Sequence, residues 1–269
     1  MPIPLFRGIR PHFNCSAAAN RVTGGNSGLL IVACVFTVVG GYTDTYSFLA
    51  HGRVFANTQT GNVVFFSIYA SGGNWAQAVR HLPPIAAFIS GVAVAELFGV
   101  QLHKHSFHAT LLCQTLEFSM LAVLSFVGCR LADSYVVPMI SFVAAIQSTS
   151  FHAIGPWSFN SAMTTGNLRD ATSGLALWIL GRGTMEDRDK GVALSLICLF
   201  FLIGALCGGI YTRLDQKHAL VPCAAMVAIG FLLTWRERLR ASAPLPEKLR
   251  TSHDAAEHSS DCQPSANSR

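Results

Sequence analysis

Long uncharged runs separated by short polar connections dominate this 269-residue chain. Between Arg21 and Asp44 lie 22 uncharged residues, and between Asp133 and Arg169 lie 35. About 20 apolar helical residues cross the ~30 Å hydrocarbon core of a bilayer, so several such runs predict a polytopic membrane protein. Six segments have the required length: 28–49, 82–102, 109–128, 135–155, 191–211 and 219–235.

Two shorter apolar segments, 60–71 and 165–181, decide how often the chain crosses the membrane. As a helix, residues 61–71 reach only about 16 Å, roughly half of the hydrocarbon core. If both short segments cross, the protein has eight spans; if neither crosses, it has six. The sequence leaves both alternatives open. The predicted fold class is all-α, a polytopic membrane helix bundle with six long helices and two short ones.

Each short segment carries the same polar element at its start. Residues 58–62 read Thr-Gln-Thr-Gly-Asn, and residues 163–167 read Met-Thr-Thr-Gly-Asn, an offset of 105. The long segments superimpose at nearly the same offset, which predicts an internal two-fold repeat over about 28–128 and 135–236. Duplicated halves with short, glycine-interrupted segments are typical of transporters.

The flanks of the membrane domain, which we place at 28–236, are polar. Residues 1–27 are predicted to form a basic arm, and 237–269 a disordered, Ser-, Pro- and charge-rich tail. Lys and Arg residues near the segment ends divide eleven against five between the two sides, with six spans or with eight. The positive-inside rule therefore places both termini in the cytoplasm.

The composition agrees with a membrane protein and excludes several other classes. Charged residues make up 12% of the chain, about half of the usual share in soluble domains. The net charge of +5 comes from basic residues at segment ends, and we predict no nucleic-acid partner. The eight cysteines are mostly in apolar segments without a C-x-x-C pair, so we predict no disulfide framework, metal site or cofactor.

Several motifs give the chain a family resemblance over roughly residues 28–236. It has Gly41-Tyr42-Thr43-Asp44 near the end of the first segment, then Phe55-Ala56-Asn57 and Thr60-Gly61-Asn62. Gln147 and Thr165-Gly166-Asn167 match these motifs in the second half. With these residues the chain resembles the YoaK-like family of bacterial membrane proteins, the domain of unknown function 1275. The resemblance implies a bacterial inner-membrane protein of about six helices and supplies no catalytic residues.

The two Thr-Gly-Asn elements are the first candidate site. Thr60 and Thr165 are good helix N-caps, Gly61 and Gly166 let a ligand or backbone approach, and the Asn62 and Asn167 amides are polar groups at membrane depth. Helices that begin inside the bilayer direct their partial positive ends at that point. We predict that the two elements meet near the midplane and bind substrate. The alternative is that Thr and Gly only pack helices together. With the residues that the resemblance adds, the predicted substrate-binding set is Asp44, Asn57, Thr60, Gly61, Asn62, Glu117, Gln147, Thr165, Gly166 and Asn167.

Two acids within the apolar segments are the second candidate. The second half has Thr149 at the position that corresponds to Asp44, so the fold of the repeated unit does not require an acid there. Glu117 is in the middle of 109–128, where Gln114 could hydrogen-bond it. Because charges facing lipid are costly, we predict that both acids face the interior and that at least one is essential. Asp44 is the expected proton or cation site, with Arg53 or Arg169 as alternative partners, or else a cap of the segment end.

The leading functional hypothesis is a small-solute transporter or permease in the lipid bilayer, with a small polar or anionic solute as its partner. No H-E-x-x-H, G-x-S-x-G or P-loop motif is present, so we predict no catalytic residues. A membrane enzyme acting on a small or lipid-borne substrate is one alternative. A scaffold or assembly protein without a substrate is the other, because Thr/Gly-rich faces also support homo-oligomers.

Overall fold

A computed structural model describes residues 25–101 and 106–242, which form helices and one short hairpin. The helices are α1 Gly25–Ala50, α2 Gln59–Ser71, α3 Trp75–Ala78, α4 Leu82–Gln101, α5 Ser106–Val127, α6 Asp133–Ser150, α7 Thr164–Ile179, α8 Met185–Leu214 and α9 Leu220–Ser242. The hairpin pairs β1 Ala153–Ile154 with β2 Trp157–Ser158, and 3₁₀ turns occupy Val79–His81, Gly128–Arg130 and Gln216–His218. Most of the predicted arm and tail lies outside the described residues.

Among the described residues, four helical stretches are long and apolar enough to cross a membrane: Ser27–Ala50, Trp75–Leu97, Met185–Leu214 and Gln216–Glu237. The prediction of an all-α, multi-pass bundle is confirmed at this level. The count of six long helices and the internal repeat stay predictions. Exposed leucine, isoleucine and valine side chains along α4, α8 and α9 provide the apolar surface that contact with lipid requires.

Helix α1 is the central element of the bundle. Its most apolar stretch is 61% buried, against 28% for α8, which packs along it more extensively than any other helix. Gly204, Gly208 and Gly209 of α8 lie beside Val38, Tyr42 and Thr45 of α1 respectively, so the two helices run parallel. A side chain at Gly204 or Gly208 would strike the α1 backbone, which explains why small residues form this contact.

The remaining long helices are oriented by contacts at the two ends of the bundle. Helix α9 runs antiparallel to α1, because Gly230 lies beside Phe36 and the Tyr42 hydroxyl donates to the Ala219 carbonyl at 2.5 Å. Helix α6 also runs antiparallel to α1, since His51 after α1 contacts Asp133 at the start of α6. We call this the His51 end, and the opposite end, where α1 begins, the Ser27 end.

Helices α2 and α7 begin halfway along the bundle and point to opposite ends. The residue before the N-cap of α2, Asn57, contacts the middle of α1. The Phe65 ring of α2 lies 6.0 Å from that of Phe48 near the end of α1, so α2 leads toward the His51 end. Helix α7 begins beside Cys198 in α8, and its Gly174 packs against Gly191, so it runs toward the Ser27 end. The segment before each short helix thus returns from one end of the bundle to its middle.

Candidate functional site

The two returning segments converge on Gly40 in α1. The Asn57 side-chain amide donates to the Gly40 carbonyl at 3.0 Å and to the Thr43 hydroxyl at 2.9 Å. On the α7 side, a Cβ atom at Gly40 would lie 2.6 Å from the Ser161 carbonyl oxygen. A side chain at position 40 would strike the segment before α7, while the Gly40 carbonyl binds the segment before α2, so Gly40 marks the place where the two segments meet.

A small internal cavity lies at this meeting point. It is lined by α1, α5, α6 and the two returning segments, through residues Val39, Gly40, Thr43, Asn57, Glu117, Leu121, Ile140, Val143, Ala144, Gln147 and Ala162. The volume open to the centre of a water molecule is about 10 Å³. That volume holds about one water, so the cavity is closed around its polar groups.

Three buried polar atoms that line this cavity have no hydrogen-bond partner among the described residues. They are Asn57 Oδ1, Glu117 Oε2 and Gln147 Nε2. All three residues are at least 95% buried. Leaving a buried polar group unpaired costs about 1–3 kcal/mol, so three such groups around one cavity indicate a place for a polar guest. Glu117 is the carboxylic acid among the lining residues, and Gln147 is positioned from the other side by the Ser161 hydroxyl at 3.1 Å.

Asp44 is buried beside the cavity and, as predicted, faces the interior. Its Oδ1 accepts from the backbone N–H groups of Asn57 at 2.6 Å and Thr58 at 3.3 Å, and its Oδ2 accepts from the Thr58 hydroxyl at 2.5 Å. These bonds run to the start of α2 and not to Arg53 or Arg169. Arg169 instead pairs with Asp170 at 2.9 Å. Asp44 therefore anchors the returning segment that carries Asn57.

The predicted Thr caps are corrected by this arrangement. The N-cap of α2 is Thr58 and that of α7 is Met163, and neither side chain caps its helix by a hydrogen bond. The Asp44 carboxylate accepts from the N–H groups of the N-cap residue Thr58 and of Asn57 before it, and so fixes the chain at the point where α2 begins. Thr60 and Thr165 are already helical and exposed.

Asn62 and Asn167 form the same local clasp in the two short helices. Each side-chain oxygen accepts from a backbone N–H seven residues earlier at 3.0 Å, and each amide donates to the carbonyl of that same residue, at 2.8 and 2.6 Å. The clasped residues are Phe55 and Asn160. The two amides hold the returning segments against their helices and do not line the cavity.

Gly61 and Gly166 have different surroundings. A Cβ at Gly61 would lie 2.8 Å from the Phe55 ring, whereas one at Gly166 would meet nothing within 4 Å. We expect Gly61→Ala to lower the melting temperature and Gly166→Ala to leave it unchanged or raise it, since alanine is about 0.5–1 kcal/mol better than glycine inside a helix. Fluorescence-detected size exclusion after heating measures both. Equal losses for the two variants would contradict this assignment.

The second acid, Glu117, is also buried as predicted, but its expected partner is engaged elsewhere. The Gln114 amide donates to the Thr234 hydroxyl of α9 at 3.0 Å, and Gln114 Oε1 is itself unpaired among the described side chains. No cation forms an ion pair with Glu117 in the part of the chain that the structure describes.

A polar cluster at the His51 end has no counterpart among the residues singled out from the sequence. His51 Nδ1 lies 2.8 Å from Asp133 Oδ1, and Nε2 lies 2.9 Å from the Tyr46 hydroxyl. Arg80 is close by, since a Cβ at Gly52 would lie 3.5 Å from Arg80 Nη1 and 3.6 Å from Asp133 Oδ2. His51 and Asp133 are 82 positions apart in the sequence, so no local sequence pattern links them. The described residues contain no group of three metal-ligating side chains.

Comparisons with known proteins agree with the resemblance found in the motifs. The family described as "Protein of unknown function (DUF1275)" matches residues 32–233. The "UPF0700 transmembrane protein YoaK" of Bacillus subtilis (strain 168) is 23% identical over 233 residues, which cover 83% of this chain and 98% of that relative. No solved structure matches the chain.

Proposed function

This chain belongs to the DUF1275 family and is an integral, multi-pass membrane protein, and from that premise we propose that it is a permease for a small polar solute. The observation that carries the proposal is the cavity with Asn57 Oδ1, Glu117 Oε2 and Gln147 Nε2 around it. Unpaired polar groups halfway along a membrane helix are costly, and they are typical of solute and ion pathways.

The arrangement of the short helices supports a path through the bundle. We propose six membrane spans, with α2 and α7 as half-helices that enter from opposite sides and do not cross. Three spans per half make the halves inverted repeats, the organisation found in many secondary transporters. The antiparallel orientation of α1 and α6 supports this, as do the matching clasps of Asn62 and Asn167.

The starts of α2 and α7 differ in charge, which bears on the solute. Each helix start carries about half a positive charge. At α2 the Asp44 carboxylate offsets it through bonds to Asn57 and Thr58, whereas at α7 the residue corresponding to Asp44 is Thr149. The α7 start thus favours an acceptor group of the solute. An anionic group also fits beside Glu117 when Glu117 carries a proton, because two like charges in a dry site repel strongly.

Access of water-soluble reagents to the cavity tests the proposal without knowing the solute. We would replace the native cysteines by Ser or Ala and introduce Ala162→Cys or Ala144→Cys, both in the cavity wall. The matched control retains Cys223 alone, which is fully buried in the core. In native membranes, 2-aminoethyl methanethiosulfonate is expected to modify both wall positions at least about tenfold faster than Cys223.

A permease must open its central site to water, whereas a scaffold has no need to. If folded Ala162→Cys and Ala144→Cys proteins both react as slowly as the Cys223 control, the permease proposal is overturned. Two wall positions on different elements protect the test against one variant that fails to fold.

We also propose that the protein is in the bacterial inner membrane with both termini in the cytoplasm. The starting evidence is the excess of basic residues on one side. The start of α1 and the end of α9 lie at the same end, because Gly28 is beside Glu237. Reporter fusions before Arg21 and after Arg240 are expected to report the cytoplasm. A periplasmic signal from both would contradict this prediction.

A further inference from the structure

A second cavity opens near the Ser27 end, and we propose that it is an outer binding site for small carboxylates on their way to the central site. We call it the vestibule, or the outer site, because it lies farther from the bundle centre than the central cavity; by the proposed topology it is on the cytoplasmic side. Its volume is about 200 Å³, and it is lined by Ser27, Leu30, Ile154, Trp157, Arg188, Asp189, Val192 and Ala193. This inference rests on the proposed permease function and names the solute class.

Two side chains that line the vestibule, Trp157 and Arg188, are hydrogen-bond donors suited to an acidic group, and the Asp189 carboxylate of the same lining is paired with Arg188. The Trp157 indole nitrogen is buried and has no hydrogen-bond partner among the described residues, so one N–H donor is unused. Arg188 adds a guanidinium whose Nε lies 3.3 Å from Asp189 Oδ1. The carbon at the centre of that guanidinium lies 5.7 Å from the Trp178 ring. These contacts engage one edge and one face of the group and leave its two Nη nitrogens for a bidentate bond to a carboxylate.

Apart from Ser27 and Asp189, the rest of the lining is apolar, and this apolar surface selects among acids. Leu30, Ile154, Val192 and Ala193 provide hydrocarbon contact next to the donors. An inorganic anion would gain nothing from this surface. A short-chain carboxylate uses both parts, because its acidic group meets Trp157 and Arg188 while its alkyl chain covers the apolar side chains.

The vestibule and the central cavity lie in series along the same elements. On α1, Leu30 lines the vestibule and Val39 the central cavity, about 13 Å apart by helical rise. On the returning segment, Trp157 precedes Phe159, and Ala162 lines the cavity. Between the two spaces along these elements lie the buried side chains of Ala33, Phe159 and Ile197, which belong to one apolar cluster. Phe159 also contacts Phe151, whose ring lies 5.9 Å from that of Phe36, so packed apolar side chains separate the outer site from the inner one.

The opposite end of the bundle is closed at the comparable place. There His51 bonds both Asp133 and Tyr46, and Arg80 lies beside them. Both ends of the central cavity are closed in this conformation, and only the Ser27 end has an open vestibule, so we assign the vestibule the role of the mouth through which solute enters when the apolar side chains move apart.

Binding of radiolabelled butyrate to the purified full-length protein in detergent tests the outer site at pH 7. Butanol is the matched probe without charge, and butylammonium the probe with reversed charge. We expect saturable butyrate binding that neither analogue displaces at equal concentration. Trp157→Phe keeps the ring and removes the donor, and is expected to weaken binding several-fold. Arg188→Gln is expected to weaken it tenfold or more.

The control variant is Arg182→Gln, which removes an exposed cation outside the vestibule and is expected to leave butyrate binding unchanged. The outer site is overturned if butyrate does not bind, if butanol displaces it equally, or if Trp157→Phe and Arg188→Gln both bind as well as Arg182→Gln. These results are independent of thiol labelling at Ala162→Cys. Labelling without butyrate binding would remove the outer site and leave the permease proposal standing.

Discussion

Replacing Asp44 by leucine is expected to prevent the chain from reaching its folded state, whereas replacing it by asparagine is expected to leave the protein folded. Leucine removes the acceptors for Asn57 N–H, Thr58 N–H and the Thr58 hydroxyl. Each unpaired buried donor costs about 1–3 kcal/mol, and whole domains are stable by only about 5–15 kcal/mol. The returning segment before α2 would lose its anchor to α1.

Asparagine preserves most of this geometry. Its oxygen accepts the two backbone N–H groups, and its amide donates to the Thr58 hydroxyl, which accepts as readily as it donates. The loss is then the charge that faces the α2 start, about 0.3–1 kcal/mol. Thermal unfolding in detergent, read by size exclusion, measures both variants. An Asp44→Asn protein as unstable as Asp44→Leu would show that the carboxylate charge, and not its acceptor geometry, holds the segment.

Replacing Glu117 by glutamine is expected to abolish the pH dependence of access to the central cavity. An ionised carboxylate with an unpaired oxygen in a closed cavity draws water, whereas a protonated one does not. Raising the pH should therefore favour opening of the site in the parent protein. Glutamine stays neutral at every pH, so access in the variant should not change with pH.

The measurement is the labelling rate of Ala162→Cys between pH 5 and pH 9. Each rate is divided by that of a cysteine at exposed Ser71, because thiol reactivity itself rises with pH. We expect the corrected rate to rise about tenfold or more with Glu117 present, which corresponds to about 1.4 kcal/mol, and to stay flat with Glu117→Gln. A Thr212→Val control removes another buried, unpaired polar atom outside the cavity lining and should keep the rise. A flat profile in the parent would exclude Glu117 as the titrating group.

Asp44 and Glu117 have surroundings that their positions in the sequence do not predict: Asp44 accepts several hydrogen bonds, whereas one oxygen of Glu117 has no partner among the described residues. Burial of both acids follows from the cost of charge in lipid, and the sequence supplied that much. The returning segment from Gly52 to Asn57 decides which carboxyl group finds hydrogen-bond donors. Tertiary contacts set the path of that segment. Sequence position favoured Asp44 as the proton site because it is close to the first motif. The geometry supports Glu117 instead, because its oxygen remains unpaired.

The helices were predictable because apolar runs are local and long. The repetition of the Thr-Gly-Asn elements could be seen in the sequence, but their hydrogen bonds could not be predicted. Each Asn side chain bonds the backbone of a residue seven positions earlier, on a non-helical segment. Asn57 and Gln147 entered the candidate set through family resemblance, and both line the cavity. Gly40 and Ser161 had no signal of their own, because small residues are common throughout membrane helices.

The packing of α1 along α8 has a consequence for biogenesis. Met185, where α8 begins, leaves the ribosome about 135 residues after Ala50, the last residue of α1, a delay of roughly 7 to 27 seconds at normal elongation rates. During that interval the face of α1 that packs against α8, which includes Gly41 and Thr45, has no final partner. We expect the nascent α1 to remain next to the insertion machinery until α8 arrives, and a ribosome-bound intermediate truncated before Met185 to crosslink to that machinery through position 41.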